Sequence, residues 1–173
     1  LWTENQISKV KAVFTRALIG GIALTAIIFL LAPLYGEGYD SIELLLEGKA
    51  QEIVSSSALF SNISESWFLV IFGLAILLAK PFATGLTLGA GGNGGIFAPS
   101  LFLGGVAGYL FSQVHNLLNN VSSLSISNFT LVGMCGVMSG VLHAPLTAIF
   151  LIAEITSGYT LFLPLMLVSA VAY

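Results

Sequence analysis

The sequence predicts an all-α polytopic membrane domain of tilted, broken and re-entrant helices. Three observations carry this. The 173 residues are 57% hydrophobic and only 8% charged, whereas a soluble domain carries roughly a quarter of its residues as charges. Between Glu65 and Glu154 the only formal charge is Lys80, a pattern tolerated only where lipid is the solvent. Several apolar runs are shorter than the roughly 20 residues of a full crossing, and such short, broken helices bring backbone ends to membrane depth in transporters and pores.

Taken in order, Glu4 to Arg16 is a polar lead-in bearing Lys9, Lys11 and Arg16. Residues 17–33 form an apolar run of near-spanning length, with Gly20-Gly21 as a close-packing spot. Residues 34–66 hold six of the eight acidic side chains: Glu37, Asp40, Glu43, Glu47, Glu52 and Glu65. Within them, Ile42 and Leu44 to Leu46 beside Glu43 and Glu47 predict a short amphipathic helix at the interface. Residues 67–79 form a second hydrophobic segment, begun by Trp67 and ended by Lys80-Pro81.

Beyond Pro81 the pattern becomes irregular. Residues 82–95 are rich in Gly and Thr, too flexible for an ordinary spanning helix. Helical character resumes over 96–118, and 116–128 reads as a polar loop. Residues 131–142, 146–155 and 161–173 are further apolar pieces, broken at Pro145 and at the Thr156-Ser157-Gly158-Tyr159 turn. About five hydrophobic segments are expected in one domain over residues 1–173. The glycine pairs Gly85/Gly89, Gly104/Gly108 and Gly136/Gly140 fall four apart, so each is expected to groove a helix face where a neighbouring backbone approaches. By the positive-inside rule residues 1–16 and Lys80 are placed on the cytoplasmic side and the acidic loop outside, with Lys80 snorkelling to the surface.

The main chemical signal is the run Gly89-Ala90-Gly91-Gly92-Asn93-Gly94-Gly95-Ile96-Phe97-Ala98-Pro99. Glycines permit positive φ, so successive N–H groups can turn toward one point. The helix that follows leaves its first amides unsatisfied and carries about half a positive charge at that end. Pro99 suits the first turn, where its missing N–H costs nothing. Ile96 and Phe97 flank the turn with apolar bulk. The expected product is a small-anion site made of backbone dipoles, with Gly95, Ile96, Phe97 and Ala98 contacting the anion and Gly91, Gly92, Gly94 and Pro99 shaping the loop. No Lys or Arg occurs from Pro81 to Tyr173, so the site is expected to hold its ion weakly enough for passage. A plain glycine-rich turn is the bland reading. A nucleotide-phosphate loop fails for want of a Gly-Lys-Ser/Thr ending.

The stretch Gly-Gly-Ile-Phe-Ala-Pro-Ser-Leu-Phe-Leu-Gly-Gly-Val-Ala-Gly at residues 94–108 resembles a conserved motif of the CLC chloride channels and chloride/proton antiporters. The likeness extends to Gly38-Tyr39-Asp40, residues 44–48, His143-Ala-Pro-Leu-Thr-Ala148, Glu154-Ile-Thr156 and Leu163-Pro-Leu-Met166. Gly105 departs mildly from the alanine common in the family. The resemblance implies the second half of an inverted-repeat membrane domain and a central halide site partly built from the Ile96 and Phe97 amides. It places the serine and tyrosine ligands, the gating glutamate and the proton-path glutamate outside this stretch, and Tyr173 is not assigned as the tyrosine. Chloride or a similar halide is the implied substrate, with no cofactor. The lipid bilayer and a second copy, meeting through residues 146–155 and 161–172, are the implied partners. Opening on Leu1 and closing inside an apolar run, the chain is expected to be a portion of a longer membrane protein.

Other residues read as structural. Glu154 is expected to reach an interface or cap nearby backbone, and His143 to bond backbone freed at the helix break. Ser100 and Ser139 are expected to bond their own helices. Cys135 packs as a small apolar residue, and one cysteine excludes an internal disulfide. Ile149, Leu151 and residues 161–167 are candidates for a subunit face. Five basic residues make no nucleic-acid face. Neither a nucleophile–base pair, a carboxylate pair nor a metal cluster is visible, so an enzyme is not expected. A transporter of a small organic anion and a non-conducting scaffold subunit are the competing classes; a larger pocket with polar side chains near Phe97 would favour the first.

Overall fold

A computed structural model of the chain describes residues 12–57, 60, 66–119, 123–156 and 159–173. Glu4, Lys9, Lys11, Glu65, Ser157 and Gly158, which enter the sequence reading, lie outside the described residues. The described residues fold into helices without a strand. In chain order these are α1 (Val13–Leu30), a 3-10 turn (Ala32–Leu34), α2 (Tyr39–Leu46), α3 (Ala50–Ser55), α4 (Ser66–Ala90), α5 (Phe97–Leu118), α6 (Ile126–Leu142), α7 (Pro145–Ile155) and α8 (Phe162–Ala172). Three of them, α1, α4 and α5, are long and apolar enough to cross a membrane. With α6, α7 and α8 the apolar helices number six among the described residues.

Two expectations fail here for physical reasons. Helix α4 does not end at Lys80-Pro81 but runs to Ala90. Pro81 cannot donate to the Leu77 carbonyl, yet a full break in apolar surroundings leaves far more backbone unpaired than one missing bond does. The Gly- and Thr-rich turns beyond it are braced by Thr84 Oγ1 donating to the Lys80 carbonyl at 3.0 Å and Thr87 Oγ1 donating to Ala83 at 2.9 Å. Residues 34–66 are likewise not a simple outer loop. Ile42 and Leu45 of α2, with Ile53 and Val54 of α3, are buried in the core. The amphipathic pattern is real, but its apolar side meets α5 and α6 rather than lipid.

The centre is the α5–α6 pair, the most extensive contact in the fold. Its closeness comes from glycine. A Cβ on Gly104 would sit 2.5 Å from the Gly133 carbonyl oxygen, and one on Gly108 would overlap the Phe129 carbonyl. The Gly104/Gly108 groove therefore holds backbone, and Gly133 is its counterpart on α6. Gly136 and Gly140 face Val168 and the Ala172 carbonyl of α8. A Cβ on Gly20, though not one on Gly21, would come within 2.5 Å of the Ala90 Cβ, so this glycine lets α1 pack closely on α4. Phe102, Leu101, Met134, Met138, Ile152 and Leu165 fill the core.

A polar knot joins the later helices. Ser139 Oγ donates to the Ser169 carbonyl at 3.0 Å, not to its own helix as expected, and Ser169 Oγ reaches the Pro145 carbonyl at 3.2 Å. Buried Cys135 donates to the Leu165 carbonyl at 3.7 Å. His143 caps α6 in the left-handed region, at φ 51°, and its ring meets Tyr173 edge-on at 6.0 Å instead of bonding freed backbone. The polar loop is shorter than 116–128 because α5 reaches Leu118; the Asn116 amide clamps Leu124 by two bonds, of 2.9 and 2.7 Å, and Ser125 caps α6.

Candidate functional site

The glycine run is the link between α4 and α5, and its parts do different work. Gly91, at φ 98°, is the only one of its glycines in the left-handed region. Its N–H bonds the Leu88 carbonyl at 3.1 Å and the Gly92 N–H bonds Thr87 at 2.9 Å, the paired bonds of a Schellman cap. Gly92 is required by space, since its Cβ would lie 2.9 Å from the Thr87 carbonyl oxygen. Gly94 and Gly95 differ: a Cβ there would meet nothing nearer than 3.8 and 4.0 Å. Positive φ through the whole run, the expected means of aiming the amides, is therefore not what the chain uses. Changing Gly91 to Ala is expected to destabilise the fold by about 1–2 kcal/mol through left-handed strain, read as a lowered denaturation midpoint. Gly94→Ala is expected to leave that midpoint unchanged.

The amide end itself is open. Helix α5 begins at Phe97, with Ile96 as its N-cap at φ −88° and Pro99 in its first turn. The Ile96 carbonyl accepts from the Ser100 N–H at 3.0 Å, which starts the helical ladder, and Ser100 Oγ donates to the Phe97 carbonyl at 2.7 Å. Among the described residues no main-chain carbonyl accepts from the N–H of Gly95, Ile96, Phe97 or Ala98. Ile96 and Phe97 are exposed rather than closing the turn against water.

This end lines a cavity of about 500 Å³ together with α1, α4 and the Leu34–Tyr39 stretch. Gly94, Gly95, Phe97, Ala98 and Pro99 form one wall. Leu34, Tyr35, Gly36, Glu37 and Tyr39 form another, and Lys80, Thr84 and Thr87 of α4 a third.

Lys80 corrects the sequence reading most. It is only 3% exposed and does not snorkel. Its Nζ donates to the Gly36 carbonyl at 3.0 Å and the Leu34 carbonyl at 3.4 Å, and lies 4.7 Å from the Phe102 ring centroid. Two carbonyls and an aromatic face replace part of its hydration. Arg16, on α1, lies against the α4–α5 link, with Nη2 3.0 Å from where a Gly91 Cβ would be. Its Nε is buried with no hydrogen-bond partner. The absence of cations from residues 81–173 is thus offset at the cavity by Lys80, from earlier in the chain.

The remaining candidates lie elsewhere. Glu154 is exposed at the end of α7, and Tyr173 meets His143, not this cavity. Ile149 is 5% exposed and turns into the core. The apolar side chains that α7 and α8 leave uncovered include Leu146 and Phe150, and Leu163 and Leu167 within the expected 161–167 stretch.

Comparison with known proteins matches residues 1–173 to the family described as voltage gated chloride channel. A ClcB-like chloride channel protein of Ralstonia nicotianae is 30% identical over 159 residues, 91% of this chain and 33% of its own length. The H(+)/Cl(-) exchange transporter ClcA of Vibrio cholerae is 35% identical over 96 residues, 56% of this chain and 20% of its own. The chloride channel protein CLC-e of Arabidopsis thaliana is 30% identical over 165 residues, covering 90% and 21% respectively. The chain thus spans between a fifth and a third of the length of these relatives.

Proposed function

Because the chain belongs to the voltage gated chloride channel family, we propose that it forms part of a membrane pathway for chloride or a similar small anion. The carrying observation is the row of N–H groups at Gly95, Ile96, Phe97 and Ala98 that meet no main-chain carbonyl among the described residues, three of which, Gly95, Phe97 and Ala98, line a cavity that Lys80 also lines. Each charge-assisted hydrogen bond contributes roughly 1.5–3 kcal/mol, and a partly buried helix end adds up to about 2 kcal/mol. Gly91 and Gly92 cap α4 so that the chain can turn, Gly94 and Gly95 leave room for an ion against the backbone, and Pro99 starts the helix. Lys80 adds a full charge whose ammonium is already held by two carbonyls, so it attracts the ion without closing on it.

In the complete protein, Ile96→Pro removes one amide at a φ close to proline's own range. Halide affinity by calorimetry is expected to fall about tenfold or more, as the loss of one such bond requires. Unchanged affinity with an intact melting transition would overturn the assignment.

The cavity's size, with Thr84, Thr87 and Asn93 among its mostly apolar lining, would also suit a small organic anion, which is the second reading. Chloride is preferred because two relatives are named as chloride channel proteins and one as a proton/chloride exchanger. We place residues 1–16 on the cytoplasmic side of a cell membrane. Lys80 no longer bears on that orientation, which rests on Lys9, Lys11 and Arg16. A homodimer would form through the uncovered apolar faces of α7 and α8.

A further inference from the structure

The cavity that holds the free amides and Lys80 also holds a carboxylate. Glu37 sits between Gly36 and Gly38, both left-handed at φ 64° and 90°. The Gly36 carbonyl is tied to Lys80 Nζ at 3.0 Å. Gly38 rests on the Phe102 ring, where any Cβ would collide. The same ring carries Lys80 on its face. Buried structure on both sides therefore fixes an exposed acid at this place. Among the described residues the one ion pair within 4.0 Å joins Lys49 and Glu47, so no cation at that range neutralises Glu37. The other charged groups near the cavity are Lys80 on α4, Arg16 beside Gly91, and Asp40, which lines only the adjoining crevice, whereas Glu37 stands at the border of the two and lines both.

We propose that Glu37 is an affinity-setting residue of the anion pathway, its carboxylate opposing the attraction of Lys80 and the α5 amide end for the anion. The proposal rests on the reading of residues 94–99 as an anion site. Its physical basis is that like charges sharing a water-filled cavity repel over several ångströms, and that the repulsion falls with salt. A pathway needs its ion held weakly enough to leave. Lys80 alone would push toward retention, and a fixed acid in the same space works the other way.

The test is a charge series in the complete protein, titrated with sodium chloride by calorimetry at low ionic strength. Glu37→Gln is expected to bind chloride about threefold more tightly than wild type, and Glu37→Lys about threefold more tightly again. Glu37→Asp keeps the charge and Asp40→Asn lies outside the cavity, so both are expected to stay near wild type. Raising ionic strength with sodium gluconate is expected to narrow the spread. Such ordering by charge is not what a merely structural role produces. Equal affinities for wild type, Gln and Lys variants would overturn the proposal while leaving the anion site standing. A wild type that binds no chloride, or binding untouched by Ile96→Pro, would sink the underlying reading and this proposal with it.

Discussion

Replacing Gly108 with alanine in the complete protein is expected to abolish recovery of folded material. The added Cβ would overlap the Phe129 carbonyl oxygen and come within 2.7 Å of its carbon and 3.0 Å of the Thr130 Cα. All three are backbone, so no side chain can rotate away, and α5 must part from α6. Alanine's better helix propensity returns only about 1 kcal/mol. Forcing volume into a tight core costs about 1–3 kcal/mol where side chains can give, and more where they cannot. The pair at risk is the principal contact of the fold. Gly105→Ala is the control, because its Cβ would meet the Met134 Cγ at 3.3 Å and the Thr130 Cγ2 at 3.5 Å, atoms that can shift. Monodisperse yield and melting temperature in detergent check both. Normal folding of the Gly108 variant would refute the backbone-contact account.

Replacing Lys80 with methionine is expected to act on both stability and binding. The Leu34 and Gly36 carbonyls lose their donor, which costs about 1–3 kcal/mol for each group left unsatisfied. The cavity also loses a full positive charge. Near a protein surface, at an effective dielectric of about 20, a unit charge several ångströms from an ion is worth about 1–2 kcal/mol or more, roughly a tenfold fall in halide affinity. Lys80→Arg keeps the charge and should recover most of the binding. Calorimetry with a parallel melting curve separates the two effects. A lower melting temperature with unchanged affinity would make Lys80 a tie for residues 34–36 and nothing more.

The Lys80 result also shows where sequence reading stops. A lysine followed by proline at the end of an apolar run has the local marks of a helix terminus at the membrane surface. Its partners are the carbonyls of residues 46 and 44 positions earlier, which no local pattern signals. A sharper reading would have weighed the near absence of other charges: one lysine kept deep in an apolar stretch is costly, and so points to a site. Glu37 and Arg16 were hidden in the same way, one read as part of an acidic loop and the other as part of a polar lead-in.

From the residues alone came the solvent, the helical class, the glycine-rich link ahead of a helix that starts at residues 96–97, and the Gly104/Gly108 and Gly136/Gly140 pairs that let helices touch. These follow from composition, from turn chemistry and from spacings of a few residues, all of which act locally. Only the tertiary structure decided that α4 continues past Pro81, that α2 and α3 turn their apolar sides into the core, and that Gly133 is the counterpart of Gly104 and Gly108. It alone placed Lys80 and Glu37 in one cavity beside the open amides and Arg16 against Gly91. Buried polar groups take whichever partners the packing brings within about 3 Å. In this chain those partners come from helices far apart in sequence.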